Sequence, residues 1–436
     1  MMSWKDLYHN KWARMGFWSL LYLLWVIWLG NYWWLLGLVV IFDNHITKKV
    51  KWLFWKQERK EGVKPNALLD WLDAIIFAVV FVTFINMFFF QAFKIPSSSM
   101  ESSLYTGDQL FVSKLAFGPR VPQTPLTVPF THNTIFGKES YSTLIQNKYR
   151  RLKGFREVRR GDCVVFGFPN GDTVLRRNPT ADYHELVRTL GPETVDMMGE
   201  IVVRPMDKKE HYVKRCVAIP GDTLEVRDGL VWINGEQQTV YPGIQLSYAV
   251  LTDGKKINAK TMDKLGINPS RAYFDPAMPG YPMLLLTAEM LEEVKSLPNV
   301  ESVYPLLVKD PTLEYKRIFP YTEDSGWTRD YFGPLWIPSK GATVKLTQDN
   351  VALYERIITA YEGGDLQQAL REGSYTFKQD YYFMMGDNRH DSADARYFGF
   401  VPEDHIVGRP VVIWLSVDKS KRFPHNIRWS RFMKFI

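Results

Sequence analysis

Two long apolar runs dominate the first hundred residues, and short alternating segments fill most of the remaining chain. From Gly16 to Phe42 no side chain is charged, and residues 74–93 are equally free of charge. A bilayer is crossed by a helix of ~20 apolar residues, so 16–42 is predicted as one transmembrane helix and 69–93 as a second. A cleaved secretory leader is the competing reading of the first run. It fits poorly, because the run is too long and no small-x-small pattern comes after it. Between the two runs, residues 43–68 carry Lys48, Lys49, Lys51, Lys56, Arg59, Lys60 and Lys64 against Asp43, Glu58 and Glu61. The tail over residues 1–15 has only Lys5, Lys11 and Arg14 as basic residues. The positive-inside rule then makes the loop cytoplasmic and puts the N-terminus, with everything after residue 93, outside.

From residue 94 the period changes to strands and turns. Asp228-Gly229 and Asn234-Gly235 bracket Leu230-Val231-Trp232-Ile233, a strong hairpin signal. Helices are predicted near 287–296 and 349–362, the second with Asp349 as N-cap before apolar positions at helical spacing. Residues 94–236 and 376–418 read as two parts of one core. Residues 237–375 read as an inserted α+β lobe, and 170–211 as a smaller insertion. Residues 419–436 alternate Lys and Arg with Phe, Trp and Ile, a basic aromatic tail that suits either a lipid surface or solvent.

Composition narrows the function classes. The chain has 436 residues, 15% of them aromatic, and a net charge of +7. That charge suits anionic lipid or nucleic acid equally, but no basic helix, zinc-ligand set or nucleic-acid module accompanies it. Lipid is the better reading. Two cysteines, Cys163 and Cys216, exclude a disulfide scaffold and any cysteine-rich metal site.

Candidate chemistry begins where the second apolar run stops, at Lys94-Ile95-Pro96-Ser97-Ser98-Ser99-Met100. Pro96 favours an extended Ile95 and stops any helix there, so the serines come after a stiff lead-in at the membrane surface. A serine nucleophile needs a base within hydrogen-bond reach. No Gly-x-Ser-x-Gly elbow occurs among the residues, and His9 and His45 fall outside the external part. His390, beside Asp391, is the histidine that must be weighed. Lysine is the other route, provided apolar neighbours lower its pKa. Lys214, in the strand-like run Tyr212–Ile219, fits that requirement.

Further segments complete an ordered set: Gly107-Asp108, Val112-Ser113-Lys114, Arg160-Gly161-Asp162-Cys163, Lys214-Arg215 followed by Pro220-Gly221-Asp222, and Gly386-Asp387-Asn388-Arg389. Over roughly residues 70–418 the set resembles type I (leader) signal peptidase, a membrane-bound Ser/Lys endopeptidase. The resemblance implies a mainly β, signal-peptidase-like catalytic fold preceded by two transmembrane helices. It implies Ser99 as nucleophile, Lys214 as general base and Ser97 as an oxyanion-hole donor. It also implies supporting roles for Ser392, which would hydrogen-bond the lysine, and for the pairs Asp387–Arg215 and Asp394–Arg396. Preproteins bearing signal peptides, the bilayer and the export machinery are the implied partners, in the inner membrane with the catalytic domain periplasmic. No cofactor, metal or nucleic acid is implied. The chain departs from the family at Glu101-Ser102-Ser103, where a proline is common, at His390-Asp391, and at Ala395. The missing proline is expected to loosen the turn after Ser99. Two other classes stay open: an inactive export scaffold, and a Ser/Lys self-cleaving regulator.

Overall fold

The computed structural model describes residues 10–52, 66–267, 273–274 and 282–436. The tail before residue 10 and most of the basic loop, with Lys56, Arg59, Lys60 and Lys64, lie outside the described residues. Among the described residues two helices are long and apolar enough to cross a membrane, α1 (Lys11–Leu29) and α2 (Ala67–Phe88). Asn10 and Asn66 cap them, each accepting a backbone N–H two residues on.

The first apolar run is not one straight helix. Gly30 takes a left-handed conformation (φ 60°) and receives no further helical turn. Asn31 then caps a new helical stretch over 32–47 that doubles back along α1. The register is antiparallel: the Trp34 ring meets Trp25 at 5.6 Å, Tyr22 donates its hydroxyl to the Trp34 carbonyl, and Gly37 lies against Tyr22. Hydropathy along 16–42 hides this break because both arms are apolar.

The second helix stops at Phe88, short of residue 93, because Phe90–Lys94 leaves it as a strand (β1). That strand pairs antiparallel with β2 (Asp108–Ser113), from Phe90 opposite Ser113 to Lys94 opposite Gln109. The remaining strands of the principal sheet are β3 (Cys163–Gly167), β4 (His211–Ala218), β5 (Tyr381–Met385), β6 (Val401–Pro402), β7 (Ile406–Ser416) and β8 (Lys434–Phe435). Their spatial order is β1-β2-β7-β3-β4-β5-β6, with β8 added beside β7. The sheet curls until β1 and β4, with three strands between them in this order, touch through the Phe93 and His211 rings at 5.2 Å. A mainly β catalytic domain is what the alternating segments predicted.

Other expectations resolve locally. The hairpin over Leu230–Ile233 forms, with Asp228 (φ 52°) and Asn234 (φ 53°) supplying the left-handed turn positions. The two helices are Ala288–Lys295 and Val351–Arg356; Asn350 rather than Asp349 precedes the second, and its side chain accepts Thr347 N–H instead of capping the helix. Within 237–375, strands Leu246–Thr252, Pro282–Leu286 and Val300–Pro305 enclose a small core of Val250, Leu284 and Val294. The later part packs elsewhere. Phe332–Trp336 pairs with Thr223–Arg227, and Tyr354, Ile357 and Ile358 join the principal core.

Part of the C-terminal tail docks on the sheet, while Phe423, Trp429 and Phe435 stay exposed. Arg431 is buried and forks onto Asp108 (2.6 and 3.2 Å), and β8 pairs with β7. Cys163 stands opposite Arg215 in the β3–β4 ladder, so the next residue, Cys216, projects through the other face. Both are buried free thiols, and their opposite faces preclude a bridge.

Candidate active site

The ladder of β1 runs on past its end: Ile95 donates to Asp108 O and accepts from Gly107 N–H, both at 2.9 Å. Gly107 is required here, since it has φ 95° and a Cβ would fall 1.9 Å from the Val417 carbonyl oxygen. Pro96 has no N–H to continue the pairing, and the chain leaves the sheet into Ser97-Ser98-Ser99. Glu101 N–H then bonds Ser98 O at 2.8 Å and Leu104 N–H bonds Met100 O at 2.7 Å. Met100 and Leu104 are buried beneath the turn. The turn is therefore closed without the proline, with Ser102 in a left-handed conformation (φ 67°).

A second segment clamps this turn from above. Asn388 donates its N–H to the Ser99 carbonyl (3.1 Å) and its side-chain amide to the Ser98 carbonyl (3.3 Å). Ser98 donates its hydroxyl to Asp391 at 2.5 Å. Gly386 lets the segments approach: a Cβ there would sit 2.5 Å from Ser99 O and 2.2 Å from Ser392 Oγ. Asn388 and Gly386 were visible as part of a box, but nothing in the sequence said that they would hold the serine turn.

Lys214 projects from β4 and is 4% exposed; Ser99 is 7% exposed. Lys214 Nζ lies 2.5 Å from Ser99 Oγ, the one hydrogen bond of this ammonium among the described residues. It also stands 5.5 Å from the Tyr212 ring centroid. Burial pushes the lysine pKa down to about 8, against the opposing pull of Asp394, Asp387 and Asp391. Free amine, hydrogen-bonded to a hydroxyl, is thus far more accessible near neutral pH than for an ordinary lysine. Such a pair can take a proton from the serine and return it to a leaving group.

The other expected residues surround this pair at graded distances. Ser97 Oγ is 3.5 Å from Ser99 Oγ. Ser392 is buried next to Gly386, but its hydroxyl makes no hydrogen bond to Lys214 or to any other described group. Arg215 grips Asp387 with two bonds of 2.7 and 2.6 Å. Ser103, which sequence reasoning did not single out, adds a 2.5 Å bond to the same carboxylate. Arg396 grips Asp394 at 2.9 and 2.8 Å, with both side chains wholly buried, and Asp394 also accepts Gly386 N–H at 3.0 Å. These ion pairs hold the loop that carries Asn388 against the serine turn.

His390 is occupied elsewhere. Its Nε2 donates to Asp330 at 2.7 Å and its Nδ1 accepts Ser247 N–H at 3.0 Å. Burial pushes its pKa down, which keeps Nδ1 free to accept. It ties the strand Leu246–Thr252 to the site loop.

Alongside the site, β5 pairs with β4 only from Arg215 onward. On that side His211–Val213 has no strand partner among the described residues. A backbone edge thus leads towards the lysine, facing the Phe93–Pro96 lead-in.

Comparison with known proteins gives a consistent result. Residues 68–271 and 339–415 match the family model described as signal peptidase, peptidase S26. Signal peptidase I of Haemophilus influenzae is 25% identical over 387 residues, covering 87% of this chain and 79% of the relative. Signal peptidase I of Helicobacter pylori is 23% identical over 385 residues, covering 84% of this chain and 91% of the relative. A signal peptidase I of Buchnera aphidicola is 22% identical over 357 residues, covering 82% and 77%.

Proposed function

Since the chain belongs to the signal peptidase family of S26 peptidases, and is thereby a serine endopeptidase, we propose that it cuts signal peptides from preproteins at the outer face of the membrane with Ser99 and Lys214. The reading is carried by the 2.5 Å contact between Ser99 Oγ and a buried lysine whose ammonium makes no other hydrogen bond among the described residues. Free-base Lys214 takes the Ser99 proton as Oγ attacks the scissile carbonyl. The Ser97 hydroxyl and a backbone amide receive the developing oxyanion; one such donor lowers the barrier by about 3 kcal/mol. Protonated Lys214 then supplies the departing amine, and the same lysine activates the water that frees the acyl-enzyme.

The substrate lies as an added strand along the open edge of His211–Val213, with small residues at the first and third positions before the cut. Incubating the detergent-solubilised full chain with a preprotein bearing an A-x-A site tests this reading, the products being weighed by mass spectrometry. Cleavage after the second small residue is expected. An intact preprotein, or a cut elsewhere, would reject it.

The break at Gly30 bears on how residues 16–42 sit in the membrane. Both α1 and α2 end against the catalytic domain: Leu29, Phe88 and Leu152 pack together, and Trp28 Nε1 donates to Lys153 O at 3.2 Å. The stretch 32–47 returns along α1, away from that domain. The first charged residues met on leaving the domain are Arg14 on α1, Asp43 on the return arm and Asp73 on α2. These charges mark one far interface, which is the cytoplasmic one on this reading. On this reading the hairpin over residues 16–42 enters and leaves on one side and α2 crosses, which places Ser99 outside. With Cys163 and Cys216 replaced by alanine, cysteines at Lys11 and Lys49 should resist impermeant thiol reagents in intact cells, and one at Lys255 should react. Reaction at Lys11→Cys with Lys49→Cys protected would restore the single-span reading of residues 16–42.

A further inference from the structure

Beside the last turn of α2 lies a half-open cavity of about 410 Å³, walled by Thr83 and Asn86 on the helix side and by Lys114, Arg120 and Lys208 on the domain side. Asp207 is the one acidic residue lining it, and its Oδ2 is taken up by Gln123 N–H, Thr124 N–H and the Thr124 hydroxyl at 2.9–3.0 Å. Three basic side chains against one acid make the cavity electropositive. Arg120 is anchored, donating to Asp404 O at 3.0 Å, and Lys208 donates to Thr127 Oγ1 at 2.9 Å. The Lys114 ammonium makes no hydrogen bond or ion pair with any described residue, and the buried Thr83 hydroxyl has no partner either. A partly buried ammonium next to a guanidinium, without a counter-charge, is unfavourable. Burial, with the Arg120 charge behind it, pushes Lys114 down to about 7. The cavity therefore suits an anion.

We propose that this cavity binds the phosphate of an anionic phospholipid headgroup, with Lys114 as its direct partner and Arg120 and Lys208 flanking it. Position favours lipid over a free anion, because one wall is the end of a membrane-crossing helix, at the depth of the headgroups. The rim agrees: Leu126, Val128 and Phe130 are exposed, Phe130 by 63%, and offer apolar surface for the acyl chains beside the charged cavity. The bound lipid would link the end of α2 to the loop over residues 120–132 and to β4 through His211, and so brace the sheet edge that leads to Lys214.

The inference rests on the membrane position proposed above for α2, but its test does not depend on orientation. In neutral detergent at pH 7.5, the full chain is acylated with an amine-reactive ester and the rate at Lys114 is read by peptide mass spectrometry. Lys255, whose side chain is 81% exposed, serves as the internal control. Short-chain phosphatidylglycerol should slow acylation of Lys114 at least tenfold and leave Lys255 unchanged. Inorganic phosphate at the same concentration should change the Lys114 rate less than twofold. Lys114→Met should bind phosphatidylglycerol at least tenfold more weakly in native mass spectrometry, yet cut a short soluble peptide at the wild-type rate. Equal protection by inorganic phosphate would make this a free-anion site. Protection by a signal peptide alone would make it a substrate subsite, and no protection by any of these would mean no site. Each of the three outcomes overturns the proposal. Cleavage of the soluble peptide, followed in the same samples, separates failure of the lipid site from failure of the Ser99–Lys214 reading.

Discussion

Lys214→Ala is expected to lower kcat/KM for preprotein cleavage by about 10²–10⁴-fold, the range supplied by a positioned general base, and to leave the domain folded. Ser99→Ala should be at least as severe. Lys214→Arg should fail too, because a guanidinium keeps its proton and cannot accept another. His390→Ala should keep substantial activity, since both ring nitrogens are engaged with Asp330 and Ser247, away from Ser99. The pH profile adds an independent check. Burial pushes Lys214 down to about 8, and the free amine is the working form. Activity should therefore rise with pH, level off above the lysine pKa, and fall about tenfold per pH unit well below it. Normal cleavage by Lys214→Ala together with an inactive His390→Ala would replace the lysine with a histidine mechanism.

The second large effect concerns stability. Arg396→Met should destabilise the catalytic domain by about 3–5 kcal/mol, because it strands a wholly buried carboxylate without its partner. Both side chains of the Arg396–Asp394 pair are 0% exposed. Arg227→Ala, whose partner Glu225 lies at the surface, should change stability by about 0–1 kcal/mol. Urea midpoints of the solubilised proteins compare the two, and equal shifts would remove the argument from burial.

Two further readouts separate positioning from bulk stability. Burial alone would raise the Asp394 pKa, but the Arg396 charge and hydrogen bonds win and hold it below the ordinary carboxylate value. The stabilisation is thus complete above the unfolded value of about 4 and is lost as pH falls through the folded one. Arg396 also lowers the Lys214 pKa. In whatever fraction of Arg396→Met stays folded, the acid limb of the pH profile should move to higher pH.

Much about this protein is local, and the sequence by itself determines it. Short alternating runs between turn residues specify a mainly β domain, since a period of two suits a half-buried strand whatever it pairs with. Asp-Gly and Asn-Gly around Leu230–Ile233 specify a hairpin, because few residues tolerate the left-handed positions observed at Asp228 and Asn234. The boxes around Ser99, Lys214 and Asp387 identify the family, for each is a short contiguous string. Whatever depends on how distant segments meet is decided only by the tertiary structure. Ser99 and Lys214 lie 2.5 Å apart because a curled sheet brings β4 beside the continuation of β1, and no periodicity encodes that curl. Register alone sends Cys163 and Cys216 to opposite faces. Hydropathy shows that residues 16–42 avoid water, yet it cannot show that Gly30 turns them back on themselves, because two apolar arms satisfy the same pattern as one. The tail over residues 419–436 reads as basic and aromatic. Only the buried carboxylate of Asp108, far away in sequence, shows why Arg431 belongs inside.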